Sequence, residues 1–178
     1  MYVEKPVDYS QEPEVQVSIL GQEENQELIK TVAYQYNLEN QLIKYEGFNG
    51  VKATYSYNPE GLRSSKTIED ITTSFYYDGQ NIINEAENGI LTATNIRGND
   101  LISRKDNQGT IAYYLYNGHG DVVNLISTDE TILNEYDFSI YGVGTQTEEG
   151  IFNPFRYAGE YYDKESGLYY LRARIYKC

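Results

Sequence analysis

Apolar and polar residues alternate along much of the chain with a period of two. In the stretch from 51 to 57, Val51, Ala53, Tyr55 and Tyr57 would lie on one face of an extended strand, and the polar residues between them on the other. Two further sets alternate in the same way: Val15, Val17 and Ile19, and Val32, Tyr34 and Tyr36. Tyr, Val, Ile and Thr also favour strands over helices. The pattern therefore predicts amphipathic β-strands.

A short phrase, aromatic-x-Tyr-Asn/Asp, recurs about every 20 residues. It begins at residues 34, 55, 75 and 114, and a weaker copy is Asn134-Glu135-Tyr136-Asp137. The interval from 75 to 114 is twice the usual one, which predicts a unit near Thr94 that has lost its aromatic residues. Phe155-Arg156-Tyr157 continues the spacing. A unit of this length has room for two strands and two turns.

Turn dipeptides separate the predicted strands. They are Asn49-Gly50, Asp78-Gly79, Asn88-Gly89 and Asn117-Gly118, with a further turn at Pro59-Glu60-Gly61. These residues accept the positive φ that tight hairpin turns require. The best helix candidate, from Gln22 to Lys30, has little apolar stripe and is expected to be a loop or one short turn. We predict an all-β fold in which repeated antiparallel β-hairpins form a curved open sheet.

The composition changes this prediction only through its tyrosines. The 178 residues include 20 Tyr but only 5 Phe and no Trp. Because the tyrosines recur in register with the strands, they are expected to form a cross-strand ladder that holds the sheet together. Tyrosine rings on a sheet can also stack on sugars, so carbohydrate binding is the alternative interpretation.

The charge excludes two classes of partner. The 14 Lys and Arg residues against 27 Asp and Glu residues give a net charge of −13. A chain this acidic is repelled by the phosphate backbone, so nucleic acid is not an expected partner. It also disfavours an anionic membrane surface. No apolar run reaches the roughly 20 residues of a membrane-spanning helix, so no membrane insertion is expected.

No motif predicts catalysis, and we expect that the chain is not an enzyme. His119 is the only histidine, and it lies in a glycine-rich stretch without a nucleophile motif beside it. Three pairs of acids are direct neighbours, an arrangement that points two carboxylates to opposite faces of a strand. They are Glu69 with Asp70, Asp129 with Glu130, and Glu148 with Glu149.

Metal and cofactor motifs are equally weak, and neither a metal nor a cofactor is expected. The glycine of Asp163-Lys164-Glu165-Ser166-Gly167 comes one place too early for an EF-hand loop. Gly142-Val143-Gly144 lacks the third glycine of a dinucleotide fingerprint. The lone cysteine, Cys178, can form neither an intramolecular disulfide nor a multi-cysteine site.

The repeated phrases, at this spacing, resemble the YD repeats of RHS (rearrangement hotspot) proteins. A longer stretch resembles the RHS repeat-associated core signature: Asn153-Pro154-Phe155-Arg156-Tyr157-Ala158-Gly159, then Tyr161-Tyr162-Asp163 and residues 166–176. Residues 114–123, and Tyr136-Asp137 leading to Tyr141-Gly142, also fit the family's phrases. The resemblance covers about residues 31–177. Three arginines lie among the aromatic residues and are expected to stack on them or to pair with Asp163 or Glu165: Arg156, Arg172 and Arg174.

The resemblance implies a structural role. In RHS proteins, toxin-complex proteins and teneurins, a long spiralling β-sheet closes into a hollow shell, which in the bacterial proteins encloses a variable C-terminal cargo domain, commonly a toxin. The chain would then consist of a lead-in (1–30), YD-type repeats (31–152) and the core signature (153–178). Its partners would be the rest of the shell and a toxin-type cargo, with self-association through strand edges. An extracellular or cell-surface location follows from the family alone, since no signal peptide is recognisable.

Two departures from the family bear on this expectation. In the family the core signature continues into a self-cleaving segment that contains Asp-Pro, whereas Lys177-Cys178 follows Tyr176 here and the sequence contains no Asp-Pro dipeptide. Self-cleavage is therefore not carried over, and the chain is expected to be a fragment or a displaced tip of an RHS shell. The alternative function is a secreted or surface β module that binds carbohydrate or protein through its tyrosine faces.

Overall fold

The computed structural model describes residues 32–172 and 174–177, and its main element is one antiparallel sheet of twelve strands. Each strand pairs with the strands before and after it in the sequence. The strands are β1 (Ala33–Tyr36), β2 (Leu42–Glu46), β3 (Lys52–Tyr57), β4 (Arg63–Ile68), β5 (Ile71–Asp78), β6 (Asn81–Glu87), β7 (Ile90–Arg97), β8 (Leu101–Asp106), β9 (Ile111–Tyr116), β10 (Val122–Ile126), β11 (Ile132–Phe138) and β12 (Gly144–Glu149).

The predicted repeat of two strands per unit is confirmed. Each aromatic phrase lies on an odd-numbered strand, and the even-numbered strand returns antiparallel beside it. The unit predicted near Thr94 is strand β7, where Asn95 and Arg97 occupy the two aromatic positions. Strand β3 alternates as predicted, with Ala53 and Tyr55 buried and the residues between them exposed. The stretches at 15–19 and 22–30 lie outside the described residues.

The fifth unit is displaced by two residues from its predicted position. Ser139 N donates to Val143 O in the turn after β11, as Asn117 N donates to Asp121 O in the turn after β9. The aromatic phrase of this unit is therefore Tyr136-Asp137-Phe138-Ser139 and not Asn134 to Asp137. The ring stacking agrees, since the Tyr136–Phe138 centroid distance of 6.1 Å matches the 6.3 Å between the two tyrosines of β9.

The turns confirm the positions of the hairpins. Gly50, Gly79 and Gly89 have φ of 82°, 58° and 83°, as the Asn-Gly and Asp-Gly dipeptides predict. After Asn117, however, positive φ is taken by Gly120 (92°) and not by Gly118, because Asn117 is the first residue of a turn whose hydrogen bonds match those of the turn from Gly47 to Val51, so that Gly120 holds the place of Gly50.

Residues 153–172 and 174–177 are named here the core segment. They do not form strands of the large sheet. They contain a 3₁₀ turn (Tyr157–Gly159) and a three-stranded antiparallel sheet of β13 (Tyr161–Asp163), β14 (Leu168–Tyr170) and β15 (Ile175–Lys177). The prediction that Phe155-Arg156-Tyr157 continues the repeat is wrong. Phe155 forms a single bridge with Tyr161, because the chain turns back here and does not extend as another sheet strand.

The core segment covers part of one face of the twelve-stranded sheet, named here the inner face. The ring of Tyr161 meets Phe75 of β5 edge-on at 5.3 Å, and Phe155 meets Tyr114 of β9 at 6.4 Å. The hydrophobic core lies between these two layers. Within the described residues β1 and β12 do not pair with each other, so the sheet is open, as predicted. No helix in that part of the chain is both long enough and apolar enough to span a membrane.

Candidate functional site

The interface between sheet and core segment is organised around a fully buried arginine. Arg63, the first residue of β4, has none of its surface exposed, and its Nη1 donates to Asp163 Oδ2 of the core segment at 2.5 Å. Four aromatic rings surround the guanidinium, with ring centroids 4.3–5.4 Å from Cζ: Tyr170, Phe75, Tyr161 and Tyr55. An arginine held by one carboxylate and by aromatic faces joins the two layers through charge and packing together.

A second cation extends this cluster along the same strand. Lys66 Nζ lies 3.2 Å from Asp163 Oδ1 and 3.2 Å from Glu165 Oε2. Tyr55 donates its hydroxyl to Glu165 Oε1 at 3.2 Å, and the backbone N–H of Arg63 donates to Tyr170 Oη at 2.7 Å. Two carboxylates of the core segment therefore face two cations of β4.

Arg63 stays charged because its pairing with Asp163 outweighs the effect of burial. Burial alone would lower the pKa of Arg63, but the adjacent Asp163 carboxylate raises that pKa above its ordinary value. Burial raises the pKa of Tyr55, and the carboxylates of Asp163 and Glu165 raise it further, so this phenol stays protonated. Removing Asp163 would leave the charge of Arg63 uncompensated in the interior, whereas removing Arg63 would leave Asp163 with Lys66 alone.

A second polar cluster replaces the missing aromatic residues of β7. Arg104 donates through Nη1 and Nη2 to the two carboxylate oxygens of Glu85, and through Nη1 to Asn95 Oδ1 at 3.1 Å. Asn95 donates to Glu85 Oε1 at 3.3 Å, and the Tyr161 hydroxyl donates to Glu85 Oε2 at 3.3 Å. The Glu85 carboxylate raises the pKa of Arg104 against the lowering effect of burial. The unit without aromatic residues is thus held by a buried ion pair.

The predicted partners of Asp163 and Glu165 are wrong. Arg156 packs over the ring of Tyr162 at 4.5 Å, as expected, but it pairs with Glu149 at 2.6 Å. Arg172 pairs with Glu160 at 2.8 Å, and Arg174 is exposed. Asp163 and Glu165 pair instead with Arg63 and Lys66, which lie 97 to 100 residues earlier in the chain. The sequence offered one sign of this pairing: the six-residue strand β4 contains two cationic residues.

The second tyrosine of the phrase forms the predicted cross-strand ladder. Tyr57, Tyr77 and Tyr116 each donate the hydroxyl to a backbone carbonyl on the preceding part of the sheet, 14 or 15 residues earlier: Leu42, Arg63 and Leu101, at 2.7–2.8 Å. Burial raises the pKa of Tyr116 to about 12. The phenols are therefore protonated donors at neutral pH.

The first aromatic residue of the phrase lies beneath the core segment. Tyr55, Tyr114 and Tyr136 are buried, and Tyr114 donates its hydroxyl to Asn153 Oδ1 at 2.7 Å. These rings are covered by protein and cannot stack on a sugar. In these units the periodic tyrosines pack and hydrogen-bond within the protein, whereas in the first unit Tyr34 is half-buried against Tyr45 and Tyr36 is exposed.

His119 and Asp121 connect the turn after β9 to the core segment. His119, in the glycine-rich turn, has an exposed side chain whose Nδ1 lies 2.9 Å from Asp121 Oδ1. The same oxygen accepts the backbone N–H of Ala158, which has a left-handed φ of 51°. Burial would raise the pKa of Asp121, but hydrogen bonds from Ala158, Asn117 and His119 together hold it below its ordinary value. The pair anchors the 3₁₀ turn.

The three acidic pairs fall at separate places. Two of them occupy turns, between β4 and β5 and between β10 and β11. In the third, Glu149 accepts from Tyr136 and Arg156, whereas Glu148 is exposed on the opposite face. Across the described residues, no group of three or more His, Cys, Asp and Glu side chains is arranged to hold a metal ion.

Sequence comparison gives relatives of one kind. The chain is 36% identical over 154 residues to the tRNA3(Ser)-specific nuclease WapA of Bacillus spizizenii. It is 34% identical over 153 residues to the tRNA nuclease WapA of Bacillus subtilis. Each match includes 81% of this chain and 7% of the relative, so the chain spans less than a tenth of the relatives' length. No family model matches the chain.

Solved structures share the fold. The chain superposes on the crystal structure of TcdB2-TccC3-TEV with a TM-score of 0.66 at 18% identity, over 82% of this chain and 8% of the other. It superposes on the Photorhabdus luminescens Tc holotoxin pore with a TM-score of 0.62 at 16% identity, over 84% of this chain and 8% of the other. These structures show that the fold is shared. The repeated strands, the core segment and the WapA relatives identify the chain as an RHS/YD-repeat protein.

Proposed function

We propose that the chain is a non-enzymatic structural segment of an RHS/YD-repeat shell, which helps to enclose or present a C-terminal, toxin-type cargo domain. The observation that supports this proposal is the buried contact of Arg63 with Asp163, which fixes the core segment against the inner face. A sheet that is open at both ends and covered on one face has the form of a wall section. Its partners are the rest of the shell and the cargo.

The location and the self-association belong to the same proposal. We place this shell outside the producing cell or at its surface, because a protein of a holotoxin pore shares its fold. The outer edges of β1 and β12 pair with no strand of the described chain, and such edges recruit further strands. We expect the isolated chain to self-associate through them.

Protease protection of the native product tests the enclosure. We expect that the cargo of the full-length protein resists limited proteolysis until the shell is opened. Arg63→Met, which removes the charge that holds the core segment, should release or expose the cargo at a lower protease concentration. Lys105→Met, on an exposed position of β8, is the matched control. Equal cleavage of the cargo in all three proteins would contradict enclosure by this segment.

A nuclease assay tests the absence of enzymatic activity. The relatives are named tRNA nucleases, so the purified chain is incubated with total tRNA and the products are separated on a denaturing gel. We expect intact tRNA, because the chain is acidic and its single histidine serves an anchoring turn. Cleavage that disappears in His119→Ala would contradict the proposal.

A further inference from the structure

A groove of about 790 Å³ lies on the inner face beside the core segment. Its floor crosses neighbouring strands in register, where Thr73 of β5 lies between Lys66 of β4 and Glu87 of β6. Its wall is built by Phe152 and Tyr162, with residues 164 and 165 beyond them. The core segment covers one end of the strands, near the turns at 58–62 and 117–121. The groove lies at the opposite end, near the turns at 69–70 and 107–109.

The groove has an excess of negative charge that the ion clusters leave uncompensated. Lys66 is neutralised by Asp163 and Glu165, and Arg104 by Glu85. Three further carboxylates on the floor and rim form no ion pair with any described residue: Glu69, Glu87 and Asp106. Lys164 supplies one cation on the wall. The open part of the groove therefore carries a net negative charge.

The groove also exposes apolar and aromatic surface. The side chain of Phe152 is 65% exposed and that of Ile71 is 52% exposed, although both line the groove. A surface that combines unpaired carboxylates with an exposed ring suits a ligand with guanidinium groups and apolar side chains. Arginine meets both requirements, since it pairs with carboxylates and stacks on aromatic rings.

Charge decides between the possible occupants. Residues 1–30 contain seven Asp and Glu against two Lys, and a second copy of this chain carries −13, so neither supplies the positive charge that suits this groove. Nucleic acid would be repelled. A protein that acts on RNA, as the relatives' name states for them, needs a cationic surface for its substrate.

We propose that the groove binds an extended, arginine-containing segment of the polypeptide that the shell encloses. This inference rests on the proposed function and adds the chemistry of the partner: basic, partly aromatic and presented as an extended strand. The carboxylates of Glu69, Glu87 and Asp106 would pair with the arginines, while Phe152 packs on them. In the shell, the wall section would thus attract its cargo by charge as well as confine it.

Peptide binding to the purified chain tests this inference. The probe is a fluorescein-labelled ten-residue peptide that alternates Arg with Phe and Gly, titrated by fluorescence anisotropy. We expect the triple variant E69Q/E87Q/D106N to bind about tenfold more weakly, since it loses three exposed ion pairs that are each weak. The control variant E135Q/D137N/E148Q removes the same number of charges from the opposite face and should bind as the unchanged chain does.

Each outcome decides whether the groove is the peptide-binding site. Weaker peptide binding by the groove variant alone supports the proposal. No binding by the unchanged chain, equal losses in both variants, or no loss in either would contradict it. If the triple variant melts below the unchanged chain, Phe152→Leu is titrated instead. This substitution removes the largely exposed aromatic face but keeps an apolar side chain beside Arg104, whose Cζ lies 5.7 Å from the ring centroid; about threefold weaker binding is expected. The titration does not depend on enclosure, so it can fail while protease protection of the cargo holds.

Discussion

The inner face contains two buried ion clusters that join very different parts of the chain. Arg63 and Asp163 are 100 positions apart and connect the large sheet to the core segment. Arg104 and Glu85 are 19 positions apart and connect two strands of the same sheet. The first cluster therefore holds two layers together, whereas the second completes one repeat unit whose aromatic residues are missing.

The two arginines also differ in how their N–H groups are satisfied. Arg104 keeps Asn95 as a second hydrogen-bond partner. The guanidinium of Arg63 donates only to Asp163, and its Nε and Nη2 have no hydrogen-bond acceptor among the described residues. The aromatic cage compensates the charge but accepts no conventional hydrogen bond. A buried charge with one partner is more sensitive to losing that partner than a charge with two.

The largest effect is expected from removing the carboxylate of the first cluster. Asp163→Ala leaves Arg63 buried without a hydrogen-bonded partner, which should lower the free energy of unfolding by about 3–5 kcal/mol. Urea unfolding followed by circular dichroism measures it. The control Asp137→Asn, at an exposed position of β11, should change stability by less than about 0.5 kcal/mol. A loss below about 1 kcal/mol for Asp163→Ala would mean that the pair does not hold the layers together.

A smaller effect is expected in the second cluster. Glu85→Ala leaves Arg104 with Asn95, so we expect a loss of about 2–3 kcal/mol in the same assay. Hydrogen exchange should separate the two variants. In Glu85→Ala the amides of strands β6 to β8 lose protection first, whereas in Asp163→Ala the amides of β13 and β14 do. The same pattern of exchange in both variants would show that the clusters are not distinct.

The tyrosine ladder should contribute less per residue than either cluster. Tyr77→Phe removes one hydroxyl that donates to Arg63 O and should cost about 1 kcal/mol. Tyr76→Phe, on the neighbouring exposed position of β5, should leave the free energy of unfolding unchanged. Equal losses of stability in the two variants would show that the hydroxyl of Tyr77 does not stabilise the sheet through its hydrogen bond. Phe138 shows that one rung can lack the hydroxyl.

The smallest effect is expected from pH, at the turn that anchors the core segment. Because the pKa of Asp121 is depressed in the folded chain, its contribution to stability is present above the ordinary carboxyl pKa. It is lost as pH falls through the lower, folded pKa. Melting temperatures between pH 6 and pH 3 should therefore fall less steeply in Asp121→Asn than in the unchanged chain. If the melting temperatures of the two proteins fell equally steeply with pH, Asp121 would not contribute to the pH dependence of stability.

The sheet could be predicted from the sequence because its signals are local. Alternation with period two sets the faces, and Asn-Gly turns set the hairpins. The fifth unit was misplaced because Tyr136 fits either aromatic position of the phrase, and only the turn after Phe138 shows which one it occupies.

The site could not be predicted, since its members are distant in sequence and one strand departs from simple alternation. Lys66 faces inward in β4, so Arg63 would face outward by strict period two. The register shift between Ser56 and Tyr57 of the neighbouring strand moves Arg63 opposite Tyr57, on the inner face. Nothing in the sequence near Asp163 indicates that its partner comes from a strand 100 residues earlier.

A double-mutant cycle between Arg63 and Asp163 tests the central claim most directly. Arg63→Met and Asp163→Leu are measured singly and together by urea unfolding. Asp163→Leu leaves Arg63 buried without a hydrogen-bonded partner, and Arg63→Met leaves Asp163 with Lys66 alone, whereas in the double variant Lys66 still pairs with Glu165. We therefore predict a coupling energy of about 2–3 kcal/mol and a double variant more stable than Asp163→Leu. Additive losses, with a coupling energy near zero, would contradict the claim that this pair fixes the core segment to the sheet.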